Sequence, residues 1–240
     1  MNGFSDYVLY FFIFSFLGWL LESVYASINE RKFINRGFLT GFFCPIYGYS
    51  AILIIQTSSW INNIFENYLV ALIFNILFSI VLVTLLEFVT GLALEKIFRC
   101  KWWDYSKNAF NLKGYICLKN SLLWGILAFI LIQVIYPFIS RLVYPIPAPA
   151  KDYIAAVLLL YLFADTVRSI YKALDLRNAI LNYSNYPDNK YYKIIMRNKK
   201  MFLAFPHLLL LNAGVINRDV RSILNGRIKK IKEGLKSRLR

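Results

Sequence analysis

Five apolar runs with few charges in them restrict what this chain can become: residues 7–28, 42–56, 68–94, 121–139 and 153–172. A helix needs about 20 such residues to cross a hydrocarbon core of ~30 Å. Lipid offers the backbone no hydrogen bonds, so helices and closed barrels are the only solutions there. Four of the runs come near or exceed that length, while the second is short for a straight span. Apolar residues make up 58% of the chain and charged residues 17%, against roughly 45–50% and about 25% in soluble domains. The expected fold class is therefore all-α: a polytopic helical membrane protein with about five transmembrane helices. Residues 1–175 form the bundle and residues 176–240 a basic cytoplasmic or interfacial tail.

The charge is segregated, which sets the orientation. The net charge is +15, and 26 of the 28 Lys and Arg fall on one side when the N-terminus is placed outside and the C-terminus inside. Basic residues stay cytoplasmic, so N-out and C-in follows. The same segregation accounts for the charge through anionic lipid at the tail rather than through nucleic acid. Loop 140–152 holds three of the seven prolines and reads as a stiff, extended connection on the outer face. Trp102, Trp103 and Tyr105 in loop 95–120 fit an interfacial aromatic belt, with Asp104 and Asn111 folding the loop locally. Residues 182–192 form a polar break. Residues 201–216 read as an interfacial helix or one packed under the bundle, and residues 221–239 as an amphipathic surface helix.

Ionisable groups inside spans are costly, and each is a candidate for function. Glu22, Glu87 and Asp165 each lie about six residues from the inner end of their runs, about 9–10 Å deep at 1.5 Å per residue. They would line a cytoplasm-facing cavity, or else pair with Arg31, Arg36 or Arg168 to lock helices together. Gly18 and Glu22 share a helix face, as do Glu87, Gly91 and Glu95, and glycine there admits a close neighbour. The hinge of Gly37, Gly41 and Gly48 around Cys44, Pro45 and Tyr47 reads either as a re-entrant segment whose freed backbone binds a solute or as a tight interhelical corner.

Other chemistry is not expected. Cys44, Cys100 and Cys117 make no paired framework, and a single histidine, His207, excludes a histidine-rich metal site. No base accompanies Cys44 in sequence, and the P-loop, HExxH and GxSxG patterns are missing. The expectation is a non-enzyme without metal or cofactor. The first six residues lack a positive region, and the first run is long enough to remain as a span.

Several motifs in order carry a family resemblance: WLLE at 19–22, NRGFLTGFFCPIYG at 35–48, LEFVTGLALE at 86–95, WDYS at 103–106, FNLKGYICL at 110–118, SLLWG at 121–125 and AFPHL at 204–208. Over roughly residues 7–210 the chain resembles the bacterial ABC-transporter type IV permease family. The resemblance implies a multi-pass permease subunit in the bacterial cytoplasmic membrane, working beside an ATPase subunit. Loop 95–120 is the one inner loop long enough to meet such a partner. The working expectation is a transport component whose polar site combines Glu22, Glu87 and the 37–48 hinge, with Glu95, Asp165, Cys44, Pro45 and Tyr47 as further binding candidates. A small subunit of this kind implies a homo-oligomer or an ATPase partner. The alternatives are an ion-coupled carrier or channel oligomer, and a non-transporting membrane scaffold.

Overall fold

The computed structural model describes residues 3–181, 199–205 and 209–210. The helices are α1 (Phe4–Glu30), α2 (Pro45–Ile64), α3 (Tyr68–Phe98), α4 (Leu118–Ile130), α5 (Tyr136–Val143), α6 (Ala148–Leu181) and a short α7 (Lys199–Ala204). A single π turn, Leu131–Ile135, joins α4 to α5 into one rod. It lies just before Pro137, whose missing N–H breaks the regular ladder. Four helical segments are long and apolar enough to cross a membrane: α1, α3, Leu118–Val143 and Ala148–Asp175.

Helix α3 shows why these segments belong in lipid. Asn75, Ser79, Val83, Glu87 and Gly91 recur every fourth residue on its buried face. Leu77, Val81, Leu85 and Val89 recur at the same spacing on its exposed face. Small and polar residues face the protein and large apolar ones face outward, the reverse of a soluble helix. The protein is a multi-pass membrane protein. Helix α1 is the central member, packing against α2 and α6, while α2 packs on α3 and α3 on α4. Leu9, Phe14, Ile54, Val83, Ala128 and Leu131 form the core where α1 to α4 meet.

Several expected boundaries shift for local reasons. Helix α2 begins at Pro45 and continues to Ile64, well past residue 56. Its polar second half is satisfied: Thr57 Oγ1 donates to Leu53 O, Gln56 donates to the Tyr7 hydroxyl, and Asn62 Oδ1 accepts from Asn75 Nδ2 at 3.0 Å. Asn67 then caps α3 by accepting from Leu69 N and Val70 N. The expected extended loop at 140–152 is not found, since α5 runs to Val143 and α6 starts at Ala148. Pro149 sits in the first turn of α6, where a missing N–H costs nothing.

Trp102 departs from the interfacial-belt reading. Trp102 is buried against Phe38, Phe98 and Phe205, and the Trp103 indole donates to Tyr115 O at 2.8 Å. Both rings serve as packing for the loop, which folds over the end of the bundle. The local bonds of Asp104 and Asn111 are present: Ser106 N and Oγ donate to Asp104, and Asn111 Nδ2 donates to Ser106 O and Asn108 O. Two short strands, β2 (Asn111–Leu112) and β3 (Ile116–Cys117), pair antiparallel within it.

In place of one apolar helix over 201–216, the described residues show α7 ending at Ala204 and a strand, β4 (Leu209–Leu210). That strand pairs antiparallel with β1 (Cys100–Lys101). The polar break at 182–192, His207 and the amphipathic stretch at 221–239 lie outside the described residues.

Candidate functional site: a polar cavity under a re-entrant loop

The site is built by residues 31–44, which turn back along α1. Arg31 leaves the helix in the left-handed conformation, φ 51°, and its N–H and that of Lys32 return to the last turn. The loop then climbs a ladder of three side chains and one carbonyl spaced by four. Ser27 Oγ accepts from Ile34 N at 2.9 Å, and Ser23 Oγ from Arg36 N at 3.1 Å. Asn35 Oδ1 accepts from Trp19 Nε1 at 2.9 Å, and Ser15 O from Cys44 N at 2.9 Å. From Ser27 back to Ser15 the loop rises about 18 Å along the helix, at 1.5 Å per residue. Non-helical backbone thus reaches the middle of α1, and α2 starts there with Pro45 in its first turn.

The far side of the loop is fastened to α6 and α7. Asp165 Oδ2 accepts from Gly41 N at 2.9 Å, and Ser169 Oγ accepts from Thr40 N at 2.8 Å. The Lys200 ammonium donates to Leu39 O at 2.5 Å and Thr40 O at 2.8 Å. Burial pushes the Lys200 pKa down to about 8, against the nearby charge of Asp165, with Lys172 adding to the depression. Glycine is required at Gly37, where φ is +109°. At Gly41 a Cβ would lie 2.0 Å from the Tyr161 hydroxyl, so that side chain would have to move.

Beneath the loop lies a cavity of about 250 Å³ whose wall includes Glu22, Arg36, Cys44, Tyr47, Glu87 and Trp124. The Tyr47 hydroxyl donates to Glu22 Oε1 at 2.6 Å, and Arg36 Nε pairs with Glu22 Oε2 at 3.3 Å. Glu87 is buried; its Oε2 accepts from Trp124 Nε1 at 3.0 Å, and the Tyr105 hydroxyl stands nearby. Burial, followed by the charges of Glu87 and Glu22, raises the Tyr105 pKa and keeps this hydroxyl a donor. The Tyr47 and Trp124 rings pack with centroids 5.2 Å apart. Each carboxylate therefore holds one ring of the same pair.

Of the residues singled out in sequence, the cavity brings together Glu22, Glu87, Gly37, Cys44, Pro45 and Tyr47. Gly48 stands behind them and lets α2 touch α1: a Cβ there would meet Ser15 Oγ at 2.2 Å and Phe11 O at 2.6 Å. Asp165 and Gly41 meet each other on the loop's other flank rather than in the cavity. Glu95 is apart as well, beside Tyr115. Sequence reasoning offered Arg36 as one of three possible partners, and Glu22 takes it; it missed Trp103, Tyr105 and Trp124 as cavity wall. It also missed the ladder, whose signal was the spacing Ser15, Trp19, Ser23, Ser27. Among the described residues no group of three or more His, Cys, Asp and Glu could hold a metal ion.

The profile of the family described as Putative ABC-transporter type IV matches residues 9–170, which contain the whole ladder and both cavity carboxylates. The chain belongs to this family. No curated protein and no solved structure matches it. Membership of the ABC-transporter type IV family, together with the apolar helices, marks a membrane protein related to transport.

Proposed function

We propose that the protein is a five-span transport subunit of the bacterial cytoplasmic membrane, N-out and C-in, with the Glu22–Glu87 cavity as its substrate site. One observation carries this reading: carboxylates from two different helices meet on one cavity inside the bundle, and each is tied to the same ring pair. Burying ionisable groups at such depth is costly and is the usual mark of a solute path. In this orientation α2 is the fifth span, running from mid-depth to the outer surface. The cavity faces the cytoplasm beneath the loop of Trp103 and Tyr105. The apolar core around Leu9, Phe14 and Leu131 closes the outer side.

The chain catalyses no reaction itself, and an ATPase subunit supplies the energy. Residues 99–117, folded over the cavity, are the surface through which such a partner acts on the site. A scaffold reading has one observation in its favour, the Arg36–Glu22 ion pair, which would lock loop to helix. The test is gentle extraction of the tagged protein from its native membrane, followed by mass spectrometry of what co-purifies. A stoichiometric ATPase that is lost when residues 104–113 are altered supports the subunit reading. A homo-oligomer without a nucleotide-binding partner overturns the ATP-driven form of it.

A further inference from the structure

Three features of the cavity specify a ligand chemistry, given its reading as a substrate site. The first is charge. Arg36 matches Glu22, whereas Glu87 is held by a neutral donor, the Trp124 indole, and has no ion-pair partner among the described residues. Two carboxylates against one guanidinium leave an excess negative charge, and the amino end of α2, about half a positive charge, does not cancel it. The second is the wall, which presents the rings of Tyr47, Trp103, Tyr105 and Trp124. Aromatic faces attract ammonium groups, most strongly where water is excluded.

The third feature is a second chamber of about 100 Å³ that shares Tyr47 and Trp124 with the first. Leu17, Leu21, Ile54 and Leu127 line it, and so does Ser50, whose buried Oγ has no hydrogen-bond partner among the described residues. A dry apolar cavity of about 150 Å³ takes a benzene ring, so this chamber matches about four carbons.

We propose that the paired cavities bind an organic monocation with a short apolar arm, its ammonium between Glu22 and Glu87 and its arm past the Tyr47–Trp124 pair in the second chamber. The two rings are held by the carboxylates that the cation engages. Arrival of the head therefore loosens the partition that the arm must pass.

The test uses the full chain in lipid nanodiscs and three probes: butyltrimethylammonium, tetramethylammonium and butanesulfonate. Each buried methylene is worth roughly a fourfold gain in affinity, so the butyl cation should bind at least tenfold tighter than tetramethylammonium. Butanesulfonate should not compete. Glu87→Gln should weaken the butyl cation at least tenfold, while Glu87→Asp, which keeps the charge, stays within a few-fold. Filling the chamber by Ala128→Phe, or by Ser50→Leu should the first not fold, should bring the butyl cation down to tetramethylammonium and leave the latter unchanged. Equal binding of the two cations, competition by the sulfonate, or an unchanged affinity in folded Glu87→Gln overturns the proposal. A lack of cation binding in a protein that still recruits its ATPase overturns this inference alone and leaves the transport reading standing.

Discussion

Gly18→Ala tests how tightly the cavity is assembled. A methyl group at Gly18 would lie 2.2 Å from Tyr47 Cγ and 2.4 Å from Tyr47 Cβ, far inside van der Waals contact. Both atoms are near the root of the side chain, so no rotation of the ring relieves the clash. The ring and the start of α2 must retreat by about 1 Å to restore an ordinary contact near 3.5 Å. The Tyr47–Glu22 bond at 2.6 Å has little room to stretch before it breaks. Overpacking of this kind costs about 1–3 kcal/mol, and a hydrogen bond to a carboxylate contributes about 1.5–3 kcal/mol. Because one movement causes both losses they do not add fully, and about 2–4 kcal/mol is expected. The assay is thermal unfolding in detergent followed by tryptophan fluorescence, with Gly3→Ala as the control, since a Cβ there meets nothing within 4 Å. The double variant Gly18→Ala/Tyr47→Gly should recover the clash component relative to Tyr47→Gly alone, because both the ring and the Cβ are gone. An undisturbed Gly18→Ala, or a cost that persists unchanged in the Tyr47→Gly background, refutes the packing described.

Three further outcomes follow from the same geometry. Ser27→Ala leaves Ile34 N without its acceptor, so stability should fall by about 1–3 kcal/mol and proteolysis within 31–44 should accelerate; a change below about 0.5 kcal/mol would argue against the ladder. Trp124→Phe and Glu87→Met should show a coupling of about 1–2 kcal/mol in a double-mutant cycle on thermal stability, because each removes one end of the same 3.0 Å bond. For Lys200 the folded pKa of about 8 lies below the ordinary lysine value of 10.5. The undocked chain therefore binds more protons between these values, and docking of 199–205 should strengthen as pH rises through about 8 to 10.5. Hydrogen exchange corrected for intrinsic rates should show rising protection over that window in the native chain and none in Lys200→Met.

The helical runs were legible because lipid imposes length and apolarity, and Tyr68 begins both the third run and the helix itself. Their ends were less legible. At Pro149 and Gln56 the sequence carries residues that break helices or favour loops elsewhere, yet here one occupies a first turn and the other finds Tyr7. Glu22, Glu87 and the 37–48 hinge were flagged by the cost of polar groups in an apolar run, which is a local signal. Their convergence depended on the loop's return along α1, which rests on pairings 7, 13 and 16 residues apart between serines, a tryptophan and an asparagine. None of these residue types announces a loop anchor individually. Asp165 was judged by its depth and by Arg168 one turn away, and neither reveals that Gly41 N reaches it across 124 residues. Trp102 follows packing against Phe38, Phe98 and Phe205 rather than the interfacial habit of tryptophan.

The central claim is an aqueous polar cavity between α1, α3 and the re-entrant loop, open to the cytoplasmic side. Thr90 lies on its wall and is half-buried. The direct measurement is modification of Thr90→Cys, with the three native cysteines replaced by alanine, by a membrane-impermeant methanethiosulfonate in inside-out and right-side-out vesicles. The account predicts rapid labelling in inside-out vesicles and none in right-side-out ones. Labelling from neither face, or from the outer face alone, would contradict it.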